Sequence, residues 1–557
     1  MIPRSPSRRA PTLGDSDAKE VDKVGNDFDA VIVGAGFAGL YALHKLRDDL
    51  GMHVRAFEAG DGVGGTWFWN RYPGARCDSE SFYYCYSFSR ELAQEWEWSG
   101  RYPEQPEIER YLNHVADRFA LRRDIQLSTR VTSARYDDAT NRWEVRTDAD
   151  DIVTARYLVS AVGCLSTPLV PEIAGLDTFA GEVYFTATWP KEPVDFTGKR
   201  VGLIGTGSSG IQTTPVIAEQ ARHLTVFQRT ANFSIPARHH AFLAEDQTEI
   251  KANYDEIFAL ARSSAGGFPF AAIERETMSV PADERTEILE ELWALGGFRF
   301  LWGGFCDLLR DPAANEIASD FVRAKIRETV NDPTTAEMLC PKGYPYGAKR
   351  PPIDTNYFET FNRDNVSLVD LGSSPIEAIT PTGLRTSTGE HELDVIVFAT
   401  GFDAMTGSLL RMNITGSGDR SLADAWAEGP RTLLGLQVAG FPNFFTITGP
   451  GSPSVLTNVP VAIEHHVEWI AECLRFMHEH GFTRIEATES AQDAWVEHVA
   501  EVAEGSLYAQ ANSWYIGANV PGKPRVIMPY AGGQQLYRER VEAVAAADYE
   551  GFDFAVR

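Results

Sequence analysis

The stretch Asp29-Ala-Val-Ile-Val-Gly34-Ala-Gly36-Phe-Ala-Gly39 decides the fold, and Leu40, Leu43, Leu46 and Leu50 follow it at helical spacing. An apolar run of strand length, a glycine turn and a helix open a βαβ unit. Gly34 permits the tight turn, Gly36 lets backbone amides approach a pyrophosphate, and Gly39 lets helix close on strand. The helix N-terminus adds the positive end of its dipole. A second strand, His53 to Phe57, ends in Glu58. That acid stands about 20 residues beyond the glycines, where a carboxylate accepts a ribose hydroxyl. The glycine pattern alone is weak; strand, turn, helix, strand and acid together mark a dinucleotide site.

The same order recurs at Lys199-Arg-Val-Gly-Leu-Ile-Gly205-Thr206-Gly207-Ser208-Ser209-Gly210. At the end of its second strand, Leu224-Thr-Val-Phe, the acid is replaced by Gln228-Arg229-Thr230. An acid there would repel a 2′-phosphate, whereas an arginine can fork onto it, so the bound dinucleotide is expected to be NADP rather than NAD. The alternative is that Arg229 only solvates a strand end. The fold class expected is α/β, with two Rossmann-like dinucleotide-binding domains and a helical insertion in the second.

Between these units lies Gly64-Gly65-Thr66-Trp67-Phe-Trp69-Asn-Arg-Tyr72-Pro73-Gly74-Ala-Arg-Cys-Asp78, read as a loop from its Gly, Pro and aromatic content. Its aromatics could stack on a flavin ring or form a plain hydrophobic lid. Asp78 is a carboxylate in an apolar run and needs a cationic partner. Lys342-Gly-Tyr-Pro-Tyr-Gly-Ala-Lys349-Arg350-Pro-Pro352 offers two adjacent cations. From the residues alone they are either a solvated surface pair or groups serving two sites, Lys349 beside Arg229 and Arg350 beside Asp78.

The chain has 557 residues, enough for roughly two to four domains. Residues 1–26, rich in Pro, Ser, Asp and Arg, read as a disordered leader. Residues 27–160 and 396–557 are assigned to an FAD-binding domain, 161–236 and 341–395 to an NADP-binding domain, and 237–340 to the helical insertion. Ile125–Val131, Arg142–Arg146 and Ile152–Arg156 read as a β-meander. Tyr157–Gly163 is then expected to return to the first sheet, as is Leu393–Asp403. A net charge of −27 argues against nucleic acid and anionic membranes as partners. Six cysteines without a CxxC pair, no apolar h-region and no long apolar run point to a reduced, cytoplasmic setting. His239-His240 and His465-His466 lack metal-ligand spacing, so no metal is expected.

One further stretch, Phe179-Ala-Gly-Glu-Val-Tyr-Phe185-Thr-Ala-Thr-Trp189-Pro190, joins the two units. Together with GAGFAG at Gly34, the Gly64–Asp78 run and GTGSSG at Gly205, it resembles the type I Baeyer–Villiger monooxygenases over nearly all of residues 27–555. GAKRP at Gly347 and ATGFD at Ala399 fit too. The resemblance implies that an apolar ketone is oxidised to an ester or lactone with FAD, NADPH and dioxygen, through a flavin peroxide. It implies that Arg350 stabilises oxyanion charge while Asp78 holds that arginine. It also implies that Arg229, Thr230 and Lys349 take the 2′-phosphate and that Trp514 contacts the nicotinamide half. Further cofactor contacts are expected at Ala38, Gly65, Thr66, Trp67, Tyr84, Val131, Gln212 and Val459. Ser79, Cys164, Leu165, Ser454, Val455 and Leu456 are expected to border the ketone pocket. The sequence departs from the family pattern at Phe185, where the pattern has a histidine in the linker between nucleotide domains.

Two rivals stand beside this reading. One is a flavin monooxygenase that oxygenates sulfides or amines; the other is a nucleotide-sensing protein without turnover. The retention of both Asp78 and Arg350 speaks against the sensor. A monomer or weak homo-oligomer is expected.

Overall fold

The computed structural model describes residues 27–556, and the leader expected over residues 1–26 lies outside them. Asp27–Val33 is the central strand of the first sheet, with Ala30, Val31 and Ile32 fully buried. It pairs in parallel with Val54–Phe57 on one side and Ile152–Ser160 on the other, Val31 lying opposite Arg55 and Leu158. Burial on both faces explains why this strand reads as a continuous apolar run.

The meander differs from expectation in two ways. Its first strand is Val131–Asp137, while Ile125–Gln126 instead extends the parallel edge beyond Val54–Phe57. Ser128, with φ +51°, turns the chain between the two. The third segment and the returning strand are one element: Ile152–Ser160 pairs antiparallel with Arg142–Thr147 along its outer half and parallel with Asp27–Val33.

The second sheet is parallel throughout, in the order Val366–Asp370, His223–Gln228, Arg200–Ile204, Val395–Phe398, Glu182–Phe185. Two expectations are corrected here. The apolar segment from Leu393 does not return to the first sheet; Val395–Phe398 is fully buried between Arg200–Ile204 and Glu182–Phe185. The return is made later, by Ile414–Thr415 and Phe444–Thr446. Nor is Phe179–Pro190 a linker, because Glu182–Phe185 is the edge strand of the second sheet. A three-stranded antiparallel excursion, Ile376–Thr380, Gly383–Thr386 and Gly389–Glu392, was not anticipated.

The insertion is helical as expected, with Ala244–Ser263, Ala282–Leu295, Pro312–Thr329 and Pro333–Leu339. Asp311 caps the third of these by accepting from the amides of Ala313 and Ala314, and Pro312 occupies its first turn. No helix among the described residues is long and apolar enough to cross a membrane.

The two nucleotide units are clasped through the Tyr72–Arg76 loop. The Tyr72 hydroxyl donates to Gln212 Oε1 at 2.8 Å, and Gln212 Nε2 donates to the Arg76 carbonyl at 3.0 Å. Thr213 Oγ1 donates to the Pro73 carbonyl at 3.1 Å. Gln212, expected at a cofactor, holds helix Ser208–Gln220 to the first unit through these two bonds.

Candidate active site

The first glycine turn is built as its sequence requires. Gly34 has φ +108°, and a Cβ there would sit 2.6 Å from the Ala161 carbonyl oxygen. Gly65, φ +55°, lies against the same turn, where a Cβ would come within 2.8 Å of Gly36 Cα. The amide of Gly64 donates to the Ala35 carbonyl at 3.0 Å, which fixes that approach. Thr66 then opens a short helix, Thr66–Trp69, within what reads as a loop. The Trp67 indole donates to Tyr84 Oη at 3.1 Å. Glu58 ends its strand with the carboxylate accepting from Ala35 N and Gly60 N, each at 2.8 Å. Burial raises its pKa against those bonds. Ala38 is buried in the helix that follows this turn, Val131 is buried in the cluster that holds Val33 and Phe57, and Val459 starts the helix Val459–His480, packed on the first core.

In the second unit Thr206 Oγ1 donates to the Thr230 carbonyl at 3.0 Å, tying the glycine turn to the strand end. A side chain at Gly207 would meet nothing within 4 Å, so the turn opens outward there, beside exposed Ser208. Ser209 receives a bond from Thr186 at 3.4 Å. Lys349 stands with its Nζ 4.2 Å from the centre of the Tyr344 ring. Burial lowers the Lys349 pKa, and the charge of exposed Arg229 acts in the same direction. Two cations brought together over a strand end call for an anion.

Asp78 and Arg350, 272 positions apart, are brought together as a two-pronged pair. Arg350 Nε donates to Asp78 Oδ2 at 2.6 Å and Nη2 to Oδ1 at 2.8 Å, while Nη1 donates to the Val455 carbonyl at 2.7 Å. The Phe298 ring lies across the guanidinium at 4.6 Å. Burial works against the charged form of Arg350, but Asp78 more than offsets it and the pKa is raised. Ser79 is buried next to Asp78, its amide donating to Cys77 Sγ at 3.3 Å. Val455 and Leu456 form one apolar cluster with Met405, Tyr508, Tyr515 and Met528, against which Cys164, Leu165 and Trp514 pack. Ser454, buried with φ +43°, turns the chain into that cluster.

A description of flavin-binding monooxygenase-like proteins matches residues 29–240. A Baeyer–Villiger monooxygenase of Pseudooceanicola batsensis is 46% identical over 528 residues, 94% of this chain and 96% of that protein. The chain belongs to the Baeyer–Villiger monooxygenases. It is also 45% identical to a phenazine N-monooxygenase of Lysobacter antibioticus, over 96% of this chain and 98% of that one. A solved structure, an oxidised steroid monooxygenase bound to NADP, superimposes with a TM-score of 0.92 at 53% identity, covering 95% of this chain and all of the other.

Sequence reasoning missed part of the cavity of this Baeyer–Villiger monooxygenase. Arg350, Val455 and Leu456 line it with Phe298, Tyr508 and Tyr515. Phe298 follows Gly296 and Gly297, both at positive φ, and that glycine pair was the only local hint of a turn aimed inward. Cys164 and Leu165 pack against the same cluster as the lining residues Val455, Leu456, Tyr508 and Tyr515. A second buried pair braces the Asp78 stretch. Glu80 is 2% exposed, accepts from Arg101 Nη2 at 2.7 Å, and also pairs with Arg299, the residue after Phe298.

Proposed function

We propose that the protein oxidises an apolar ketone to an ester or lactone, using FAD, NADPH and dioxygen. The observation that carries this reading is the Asp78–Arg350 pair, with Arg350 at a small cavity of ≈ 10 Å³ walled by aromatic and aliphatic side chains. FAD would be held by the turn at Gly34–Gly39, by Glu58 and by the Gly65–Trp67 segment pressed against that turn. NADPH would be held by Gly205–Gly210, with Arg229, Thr230 and Lys349 at the 2′-phosphate and Trp514 at the nicotinamide side. The bound cofactors supply hydride and the activation of dioxygen.

The chain's own part is electrostatic. A guanidinium fixed on two sides by Asp78 keeps its charge and its direction, and its remaining N–H groups are available to an oxyanion formed at a carbonyl carbon. Phe298 and the Val455 carbonyl keep it from swinging into solvent. Apolar walls favour a ketone without charge. A cytoplasmic enzyme, monomeric or weakly self-associating, completes the reading.

A second reading has one observation in its favour, the 45% identity to a phenazine N-monooxygenase. Under it the same cavity takes a nitrogen heterocycle, amine or sulfide and the product is an oxide. Mass spectrometry of products from ketone, sulfide and heterocycle panels with NADPH and dioxygen separates the two. Esters or lactones support the first reading; oxides alone, with no ester from any ketone, overturn it.

A further inference from the structure

Helix Val459–His480 presents His465, Glu468, Trp469 and Glu472 in a stripe toward helix Gln534–Ala546, and the helices flank a half-open cavity of ≈ 460 Å³ there. That volume lies within the range of small-molecule sites, whereas packed helices normally fill such a seam with side chains. The cavity shares no residue with the Arg350 site.

Its polar groups are incomplete. His465 and Trp469 are 4% and 3% exposed, yet both ring nitrogens of the histidine and the indole Nε1 have no hydrogen-bond partner. The indole can only donate; a neutral imidazole offers one donor and one acceptor. Burial holds His465 neutral, lowering its pKa to about 2, with the charges of His466 and Arg538 acting the same way. A ligand must therefore carry a group that both accepts and donates, which a hydroxyl does.

The charge is also incomplete. Arg538 Nε is bound to Glu542 at 2.6 Å, so the lining carries three carboxylates, Glu468, Glu472 and Glu542, against one guanidinium, while Lys45 and Arg262 act on Glu468 from outside it. The Tyr41 hydroxyl reaches Glu468 at 3.3 Å but brings no charge. Burial pushes the Glu468 carboxyl up, a pressure that an adjoining ammonium would relieve. Trp469 and Tyr549, ring centres 5.2 Å apart, give an aromatic wall suited to a cation or a ring. Anionic cofactors are repelled by the same carboxylates.

We propose that this cavity binds a small hydroxylated organic amine, an ammonium on an aromatic or hydrocarbon body with a hydroxyl nearby. The test is calorimetric titration of the NADP-saturated, FAD-loaded protein with 2-amino-1-phenylethanol, 1-phenylethanol and 2-phenylethylamine. Saturable one-site binding of the amino alcohol is expected, at least tenfold weaker for the neutral alcohol. Glu472→Gln, at an exposed position, should weaken amine binding at least tenfold and leave ketone turnover unchanged. Trp469→Phe keeps an aromatic face but removes the N–H, and should reduce the advantage of the amino alcohol over 2-phenylethylamine that the hydroxyl is expected to give. No saturable binding of either amine, or equal affinity in Glu472→Gln, overturns the proposal and leaves the unpartnered nitrogens to water alone.

Discussion

Arg350 is held from three directions, and each hold has a distinct energetic meaning. The paired bonds to Asp78 set the plane of the guanidinium, the Val455 carbonyl sets its rotation, and Phe298 shields one face. Arg350→Ala should leave NADPH-driven flavin bleaching intact while ester formation falls at least about a hundredfold; esters at parental rate would refute the assignment. Arg350→Lys is the sharper variant, because a point charge on a flexible stem cannot span both Asp78 oxygens, and it should recover little of the loss. Arg229 is the matching residue at the other nucleotide. Loss of a charge-assisted phosphate contact of about 2 kcal/mol should raise the NADPH Michaelis constant roughly thirtyfold in Arg229→Ala, with the NADH value little changed. Equal losses for both cofactors in steady-state kinetics would remove Arg229 from the 2′-phosphate.

The edge strand Glu182–Phe185 changes the meaning of the position where the family pattern is broken. Phe185 stacks on Phe398 of the neighbouring strand, ring centres 5.0 Å apart and planes 15° from parallel, and packs on the cluster of Ile204, Phe227 and Ile396. An imidazole there would exchange part of that contact for polar atoms without an apolar role. Phe185→His should therefore lower the unfolding midpoint and alter hydrogen peroxide released per NADPH oxidised, while the range of ketones accepted stays the same. An unchanged peroxide ratio would make the position passive. The same strand marks where the sequence stops being legible. Gly34, Glu58 and Arg229 could be read because each carries its own backbone or charge requirement, and Asp78 because a lone carboxylate demands a cation. Val395–Phe398 is apolar on both faces and would fit the middle of either parallel sheet, so its sheet is decided by pairing partners that no local pattern encodes. Phe298, Tyr508 and Tyr515 are ordinary aromatics until distant segments meet at Arg350.

Stability of the whole molecule against pH is set by buried groups that act in opposite directions. Glu464 accepts from the Ser87 and Phe88 amides at 2.6 and 3.1 Å, and Asp354 accepts from Ser234 Oγ at 2.6 Å. Burial nevertheless raises both to about 7, from ordinary values of 4.5 and 3.8. A carboxyl of this kind contributes in full below its unfolded pKa and loses that contribution as pH climbs to the folded one. His465 and His466 do the reverse. Burial lowers them to about 2 and about 3, so their contribution is complete above 6.5 and drains away as pH falls. Between about pH 5 and pH 7 the two pairs oppose each other with slopes of similar size, and the unfolding midpoint should be nearly flat. Below about pH 4 the carboxyls are protonated in both states and no longer compensate, so stability should fall steeply through the two histidines. The double variant Glu464→Gln, Asp354→Asn removes one arm of this balance. Its midpoint, followed by calorimetry, should climb across the interval where the parent is flat; a profile parallel to the parent would mean that these carboxyls do not hold their protons in the fold.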